Sequence, residues 1–217
     1  MPSMPAPRRS SLTRERVLRA AVALADQGGI GSVTMRRLGQ ELGVEAMSLY
    51  KHVQNKDDLL DGIVDLVVGD IDVPPAGTPW KDAMRHRAIS AHEVLLAHPW
   101  AAIQIMSRFN IGPGMTRYLD ATLGRLREGG FSIDGALDAW HTLDSHIYGF
   151  TLQELGLPFE VSETQQVSAD VLQQLPADQF PHVVEVITKI MKTGRVEDFG
   201  FGLELILDGL ERILQRE

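Results

Sequence analysis

The 217-residue sequence has no cysteine, few aromatic residues (6%) and no long hydrophobic run. The lack of cysteine excludes a disulfide scaffold and thiolate metal sites. No apolar run approaches the roughly 18–20 residues that a membrane span needs, so no membrane partner is expected. The hydrophobic fraction of 44% and the charged fraction of 23% are those of an ordinary folded globular chain.

The first residues of the chain are rich in Pro and Ser, and no apolar stretch follows them. A secretory signal requires such a stretch. We therefore expect residues 1–11 to form a disordered tail on a cytoplasmic protein.

The formal net charge of -8 is unevenly distributed. Residues 1–60 contain nine basic and six acidic side chains, which leaves 12 basic and 23 acidic side chains for the remainder. A basic segment in front of an acidic one suggests a phosphate-facing module on a body that does not contact nucleic acid. Chance unevenness would give the same counts, so charge alone leaves both interpretations open.

Apolar residues recur at helical spacing along the whole chain, and alternating strand patterns are nearly absent. The sequence therefore predicts an all-α fold. The Pro- and Gly-rich stretch 72–79 is the expected joint between a segment at 12–72 and a helical body at 80–217. Helices are expected at 13–28, 34–42, 45–53, 55–72, 80–97, from about 100, 115–128, 132–155, 182–193 and 199–216. The polar segment 156–179 is expected to be a mobile excursion with one short helix.

Helix starts are marked by residues whose side chains cap exposed backbone N–H groups. Thr13, Thr34, Asn55 and Ser132 stand at such positions. Glycines at 28–29, 43 and 129–130 mark the corresponding ends.

Two short helices, 34–42 and 45–53, are joined by Gly43-Val44, which is the pattern of a helix-turn-helix. Leu38 and Leu42 would brace the first helix, and the turn needs a residue that tolerates positive φ, which Gly43 does. The second helix could then present its outer face to a major groove. An αα-hairpin without any DNA contact has the same pattern, so the motif alone leaves that alternative open.

The outer face of the second helix has a composition suited to DNA. Ala46 and Met47 can contact thymine methyl groups, and Ser48 can donate to a base or a phosphate. Larger polar residues beside them suit phosphate contacts, which position a protein on DNA. The residues expected at DNA are Thr34, Met35, Arg36, Ala46, Met47, Ser48, Tyr50, Lys51, His52 and Lys56.

Residues 34–60, TMRRLGQELGVEAMSLYKHVQNKDDLL, resemble the DNA-binding domain of the TetR family of transcriptional repressors. The resemblance covers about residues 12–70, and its most specific part is the stretch LYKHVQNK from Leu49 to Lys56. It implies an all-α homodimer whose first three helices bind a palindromic, double-stranded DNA operator. It also implies that a fourth helix connects them to a body that binds a small-molecule effector.

The resemblance assigns roles to individual residues. It implies that Tyr50, His52 and Lys56 contact the DNA backbone, and that the base-contacting positions are Arg36, Ala46, Met47 and Ser48. The recognition helix departs from the tetracycline-responsive members at Ala46, Met47 and Lys51. We therefore expect a different operator.

Residues 80–217 resemble the larger domain of the same family more weakly, through motifs near 95–100, 149–154 and 199–203. In the family, two helices of each subunit form a four-helix interface, which here would be 132–155 and 199–216. A broad apolar stripe on the last helix suits that role, although it could also pack within its own subunit. The residues expected at the dimer interface are Phe150, Leu203, Leu207, Leu210 and Leu214.

An effector pocket is expected among the helices that begin near 80, 100, 115 and 132. The candidate residues are Trp100, Ile103, Met106, Tyr118, Trp140, His141 and Asp144. Each of them could instead be a core residue. His141 and Asp144 share one helical face and could hydrogen-bond a ligand or form a structural pair.

No sequence motif supports catalysis, because no metalloprotease motif, nucleophile elbow or phosphate loop is present. Family members that bind a tetracycline–magnesium complex use a histidine in the middle of this domain. The matching stretch here, 103–107, contains none, so we expect no metal and no cofactor.

The prediction is a ligand-responsive transcriptional repressor. The alternative is a helical ligand-binding protein or enzyme whose N-terminal helices are only a scaffold.

Overall fold

A computed structural model describes residues 11–108, 111–157, 163–193 and 198–215. Within these ranges the chain forms eleven α-helices, one 3₁₀ turn at Ile30–Ser32 and no β-strand, which confirms the all-α prediction. The helices are α1 (Arg14–Gly28), α2 (Met35–Leu42), α3 (Ala46–Leu49), α4 (Lys56–Gly69), α5 (Trp80–Ala97), α6 (Ala101–Ser107), α7 (Pro113–Glu128), α8 (Ile133–Leu155), α9 (Thr164–Gln174), α10 (Pro181–Thr193) and α11 (Phe199–Leu214). Of the expected tail, residues 1–10 lie outside the described residues.

The four predicted caps are confirmed. The side chains of Thr13, Thr34, Asn55 and Ser132 each accept a hydrogen bond from the backbone N–H three residues later. Such a bond satisfies a helix N–H that has no partner within the helix, so each cap fixes where its helix begins.

Three predicted helix boundaries are wrong, and one of them is the end of α4, which lies at Gly69 rather than near Asp72. The third helix ends at Leu49 rather than near Val53, because the chain tightens into a turn in which the His52 N–H bonds to the Leu49 carbonyl. This turn brings Val53 into the core. Helix α7 begins at Pro113 rather than Met115, because proline fits the first helical position, where its missing N–H has no intrahelical acceptor.

The helices pack in two groups. Helices α1 to α4 surround one part of the core, and α5, α7, α8 and α11 pack on one another in the body. Helix α4 packs against α7 and α6, so the two groups are in direct contact. Helices α9 and α10 pack mainly on each other.

Candidate nucleic-acid interface

The turn between α2 and α3 depends on two glycines. Gly43 has a φ of 66°, in the left-handed region that the sequence predicted for it. Gly39 was not predicted to matter, but a Cβ there would lie 2.8 Å from the Val44 carbonyl oxygen and 3.2 Å from the Ala46 nitrogen. The absence of a side chain at Gly39 therefore lets the first turn of α3 lie directly on α2.

Helix α3 has one inward and one outward face. Leu49 is fully buried, whereas Met47 has 75% of its surface exposed. Tyr50 and Lys51 are exposed, and Ser48 is half-buried. The backbone thus aims the predicted base-contacting side chains away from the core.

The other predicted DNA residues lie at the same end of the molecule. Arg36, Thr34 and Lys56 are exposed at the starts of α2 and α4, and Met35 and Ala46 are half-buried. His52 lines a surface cleft with Tyr50, Lys51 and Arg14. None of the ten side chains is fully buried.

An ion pair that was not predicted supports this surface. The Arg14 guanidinium donates to both carboxylate oxygens of Asp58, at 2.9 and 2.6 Å, and to the His52 carbonyl oxygen at 2.9 Å. The Gln54 N–H also donates to Asp58, at 2.7 Å. The hydrogen bond from Arg14 holds the pKa of Asp58 below its usual value. Arg14 therefore ties α1 to the turn after α3 and to the first turn of α4.

Among the described residues, four carboxylates join the N-terminal helices to the body, and the weakest of these contacts is between Asp57 of α4 and Arg108, at 3.4 Å. On α4, Asp65 accepts hydrogen bonds from the Gly114 and Met115 N–H groups, and Asp61 accepts one from Arg108 Nε at 2.7 Å. On α1, Asp26 bonds to both His98 Nδ1 and Trp100 Nε1. Trp100, a predicted effector residue, is thus buried where the body meets α1.

The other predicted effector residues lie in different environments, some buried and some exposed. Tyr118 and Asp144 come together around the guanidinium of Arg87, which donates to both. Trp140 is half-buried and its ring lies 4.7 Å from the ring of His141, which is exposed. Ile103 and Met106 are exposed on α6.

Arg87 was missed because sequence spacing cannot pair residues that lie on separate helices. A sequence signal exists, since Arg87 interrupts the otherwise apolar inner face of α5 that includes Met84, Ala91 and Leu95. Burial raises the pKa of Asp144, even though Arg87 opposes this shift. Burial also raises the pKa values of Tyr118 and Tyr148, so both phenols are neutral.

The predicted dimer residues on α11 need correction. Leu203 and Leu207 are 1% and 0% exposed within one protomer, and Leu210 is also buried. These three side chains pack in the core of their own chain, which leaves them little surface for a partner, and the dimer interface itself stays a prediction. Phe150 and Leu214 are half-buried. The exposed apolar side chains of the two helices are Ile133 and Leu137 on α8 and Phe201, Leu205 and Ile213 on α11.

Two other features are absent from the described part of the chain. No group of three or more His, Asp or Glu side chains there could hold a metal ion. No helix among those described is long and apolar enough to cross a membrane.

The short exposed α3, its glycine turn and the helical body behind it define a helix-turn-helix DNA-binding protein. Residues 17–63 match the family model for bacterial regulatory proteins of the tetR family, and residues 73–214 match the tetracyclin repressor-like C-terminal domain. The chain therefore belongs to the TetR family. It is a DNA-binding, ligand-responsive transcriptional repressor and not an enzyme.

Individual relatives agree with this assignment. The chain is 30% identical over 210 residues to the class D tetracycline repressor protein of Escherichia coli, covering 92% of this chain and 89% of that protein. It is 34% identical to a transcriptional regulator of Saccharopolyspora erythraea, a match that spans 64% of this chain but only 59% of that protein. The crystal structure of apo ActR from Streptomyces coelicolor superposes with a TM-score of 0.78 at 30% identity, covering 94% of this chain and 97% of ActR.

Proposed function

We propose that the protein acts as a homodimer that binds a palindromic operator and releases it when an effector binds in the body. The observation that carries the proposal is the outward face of α3, where Met47 is exposed while Leu49 anchors the helix in the core. A four-residue helix can contact only a few base pairs. Two copies about 34–36 Å apart would contact two half-sites on one side of the duplex.

The contacts within each half-site divide by chemistry. Met47, Ala46 and Ser48 would contact base edges, because they occupy the first turn of α3. Tyr50 and Lys51 would contact phosphates, which position the helix in the groove. Arg36, Thr34, Met35, His52 and Lys56 would lie at the edges of the same contact surface.

Dimerisation would use the exposed stripes of α8 and α11. Phe201 and Leu205 are four residues apart and lie on one face of α11, and Ile133 and Leu137 are related in the same way on α8. Exposed apolar side chains of this size, repeated on two neighbouring helices, are typical of a protein–protein contact. The two helices are those that the family resemblance assigns to a four-helix interface.

The response to a ligand is proposed from the body and from its contacts to α4. ActR has been solved in complex with actinorhodin, and this chain is 29% identical to ActR in that structure. We propose that a small molecule binds among α5, α7 and α8. A shift of α7 would act on α4 through Asp65, and so change the separation of the two α3 helices. Because its operator is DNA, we place the protein in the cytoplasm.

Site selection from a random pool of DNA duplexes tests the DNA proposal directly. We expect enrichment of one inverted repeat, bound by two chains per duplex. The logarithm of the affinity should fall linearly with the logarithm of salt concentration, because Lys and Arg side chains release counterions from phosphates. Enrichment of single half-sites, or an affinity that does not depend on salt, would contradict the proposal.

A further inference from the structure

The body contains a buried charge with more hydrogen-bond donors than its neighbours use. Arg87 on α5 has none of its surface exposed. Its Nη2 donates to the Tyr118 hydroxyl on α7 and to the Asp144 carboxylate on α8, and its Cζ lies 4.9 Å from the centre of the Tyr118 ring. The guanidinium therefore lies at the junction of the three helices.

Two of the three guanidinium nitrogens lack hydrogen-bond acceptors. Within the described part of the chain, Nε and Nη1 of Arg87 are both buried and unbonded. Buried N–H groups are almost always paired, and arginine cannot lose its charge to avoid the cost. The cluster thus has a surplus of donors.

The charges of the cluster indicate what would use these donors. Among the described residues, Asp144 is the only carboxylate that bonds to Arg87, and it does so through one oxygen and one nitrogen. Tyr118 and Tyr148 are neutral phenols at this site. A guanidinium with unused N–H groups in a buried environment binds oxyanions more strongly than neutral acceptors, because charge-assisted hydrogen bonds gain strength there.

We propose that Arg87 anchors the effector by binding an oxyanion of the effector, a carboxylate or a phenolate, through Nε and Nη1. The inference deepens the proposed ligand response and rests on it. Its consequence is that effectors of this protein are acids, and that their neutral esters or ethers bind poorly. Asp144 and Tyr118 hold the guanidinium in place and act as positioning residues.

Arg125 provides a matched control. It is also buried, and its Nε and Nη1 also lack acceptors among the described residues. It bonds, however, to Glu128 on its own helix, near the end of α7, and not to a second helix. The proposal assigns anion binding to Arg87 and none to Arg125.

The experiment compares two acids with their neutral counterparts by calorimetry on the full chain. The carboxylate arm uses 2-naphthoate and methyl 2-naphthoate, and the phenolate arm uses 4-nitrophenolate and 4-nitroanisole. We expect at least one anion to bind roughly tenfold or more tightly than its neutral counterpart, as one charge-assisted hydrogen bond can provide. The arm that shows the preference identifies the type of oxyanion.

Two variants connect the preference to Arg87. Arg87→Met leaves Asp144 buried without a partner and could fail to fold, so the double variant Arg87→Met/Asp144→Leu is measured beside it. Replacing both members of a buried ion pair by apolar residues often preserves stability. We expect the double variant to fold and to lose the preference for the anion, and Arg125→Gln to keep it.

Several results would overturn the proposal. These are equal affinity for the anion and its neutral counterpart in both arms, no binding of either anion, a preference that survives in the double variant, or a preference lost in Arg125→Gln. Operator binding without any probe separates this inference from the proposed function. Failure of the wild type to select an operator would overturn the proposed function, while anion binding at Arg87 could still be measured.

Discussion

The carboxylate of Asp65 accepts a hydrogen bond from the backbone N–H of Met115 at 2.8 Å, and its second oxygen accepts one from Gly114 at 3.0 Å. A residue of α4 thus caps the N-terminus of α7, a helix of the body. A Cβ on Gly114 would collide with the Asp65 carbonyl oxygen, so the two helices are in close contact at this point. The helix behind the DNA-binding surface is thereby fixed to a helix of the proposed effector site.

Removal of this contact should destabilise the protein and loosen α7. We expect Asp65→Ala to lower the free energy of unfolding by about 1–2 kcal/mol, because a cap and a charge at a helix N-terminus are lost together. Urea denaturation measures the loss, and hydrogen exchange should increase at Gly114 and Met115. Asp120→Ala, at an exposed site on α7, is the control. Equal unfolding midpoints for Asp65→Ala and the wild type would show that the contact between Asp65 and α7 adds nothing to the free energy of unfolding.

Substitutions on the contact surface should change DNA binding in two ways. Lys51→Ala should weaken binding about equally for all sequences and reduce the salt slope by about one, because one phosphate contact is lost. Met47→Ala should change the preferred bases with little effect on the slope. Fluorescence anisotropy over a salt series measures both.

Lys189→Ala is the control for this pair, because Lys189 is an exposed lysine on α10. Its affinity for DNA and its salt slope should equal those of the wild type. If Lys51→Ala and Lys189→Ala have the same salt slope, α3 does not bind DNA in the proposed orientation.

The Arg14–Asp58 pair should make stability depend on pH in the acid range. The pKa of Asp58 is lowered in the folded state by the hydrogen bond from Arg14, so unfolded chains bind a proton at higher pH than folded ones. The contribution is therefore present above the unfolded pKa of about 4 and is lost as the pH falls through the folded pKa. Because the pair is partly exposed, we expect less than about 1 kcal/mol.

The measurement is the unfolding free energy of the wild type and Asp58→Asn at pH 7 and near pH 3. The difference between the two proteins should shrink at the lower pH. A difference that stays constant would mean that the ionised carboxylate of Asp58 is not what stabilises the folded state.

Two substitutions on α11 should separate dimerisation from folding. Leu205→Glu should produce folded monomers, because Leu205 is 59% exposed on the proposed interface. Leu207→Glu should destabilise the protomer by about 4 kcal/mol or more, because it buries an unpaired charge. Sedimentation velocity reports the oligomeric state, and thermal unfolding reports the stability. A normal dimer of Leu205→Glu would exclude the α11 stripe from the interface.

Local signals in the sequence predicted the fold well. The caps at Thr13, Thr34, Asn55 and Ser132 depend on neighbouring residues only, so their positions could be inferred from the sequence. The left-handed backbone conformation of Gly43 could also be inferred from its neighbours in the sequence. The end of α3 was not inferred in this way: the chain turns after Leu49, where the His52 N–H bonds to the Leu49 carbonyl, and this turn brings Val53 into the core.

Features that depend on distant parts of the chain were missed. Arg87 and Asp144 are 57 residues apart, and no sequence period connects residues on separate helices. The apolar stripe of α11 indicated that Leu207 is buried against another surface. It did not indicate whether that surface belongs to the same chain or to a partner. The same chain buries Leu207, and the surface that we propose for a partner includes Leu205 instead.

The support of α3 has a consequence for how such a repressor could acquire new targets. The helix is held by Leu49 on its inner side and by the close backbone contact at Gly39, and Met47 takes no part in either. An exposed side chain that touches no structural neighbour can usually be exchanged within about 0.5 kcal/mol of stability. Position 47 is thus free to vary among descendants of this protein, so operator preference can diverge while the scaffold that presents it stays the same.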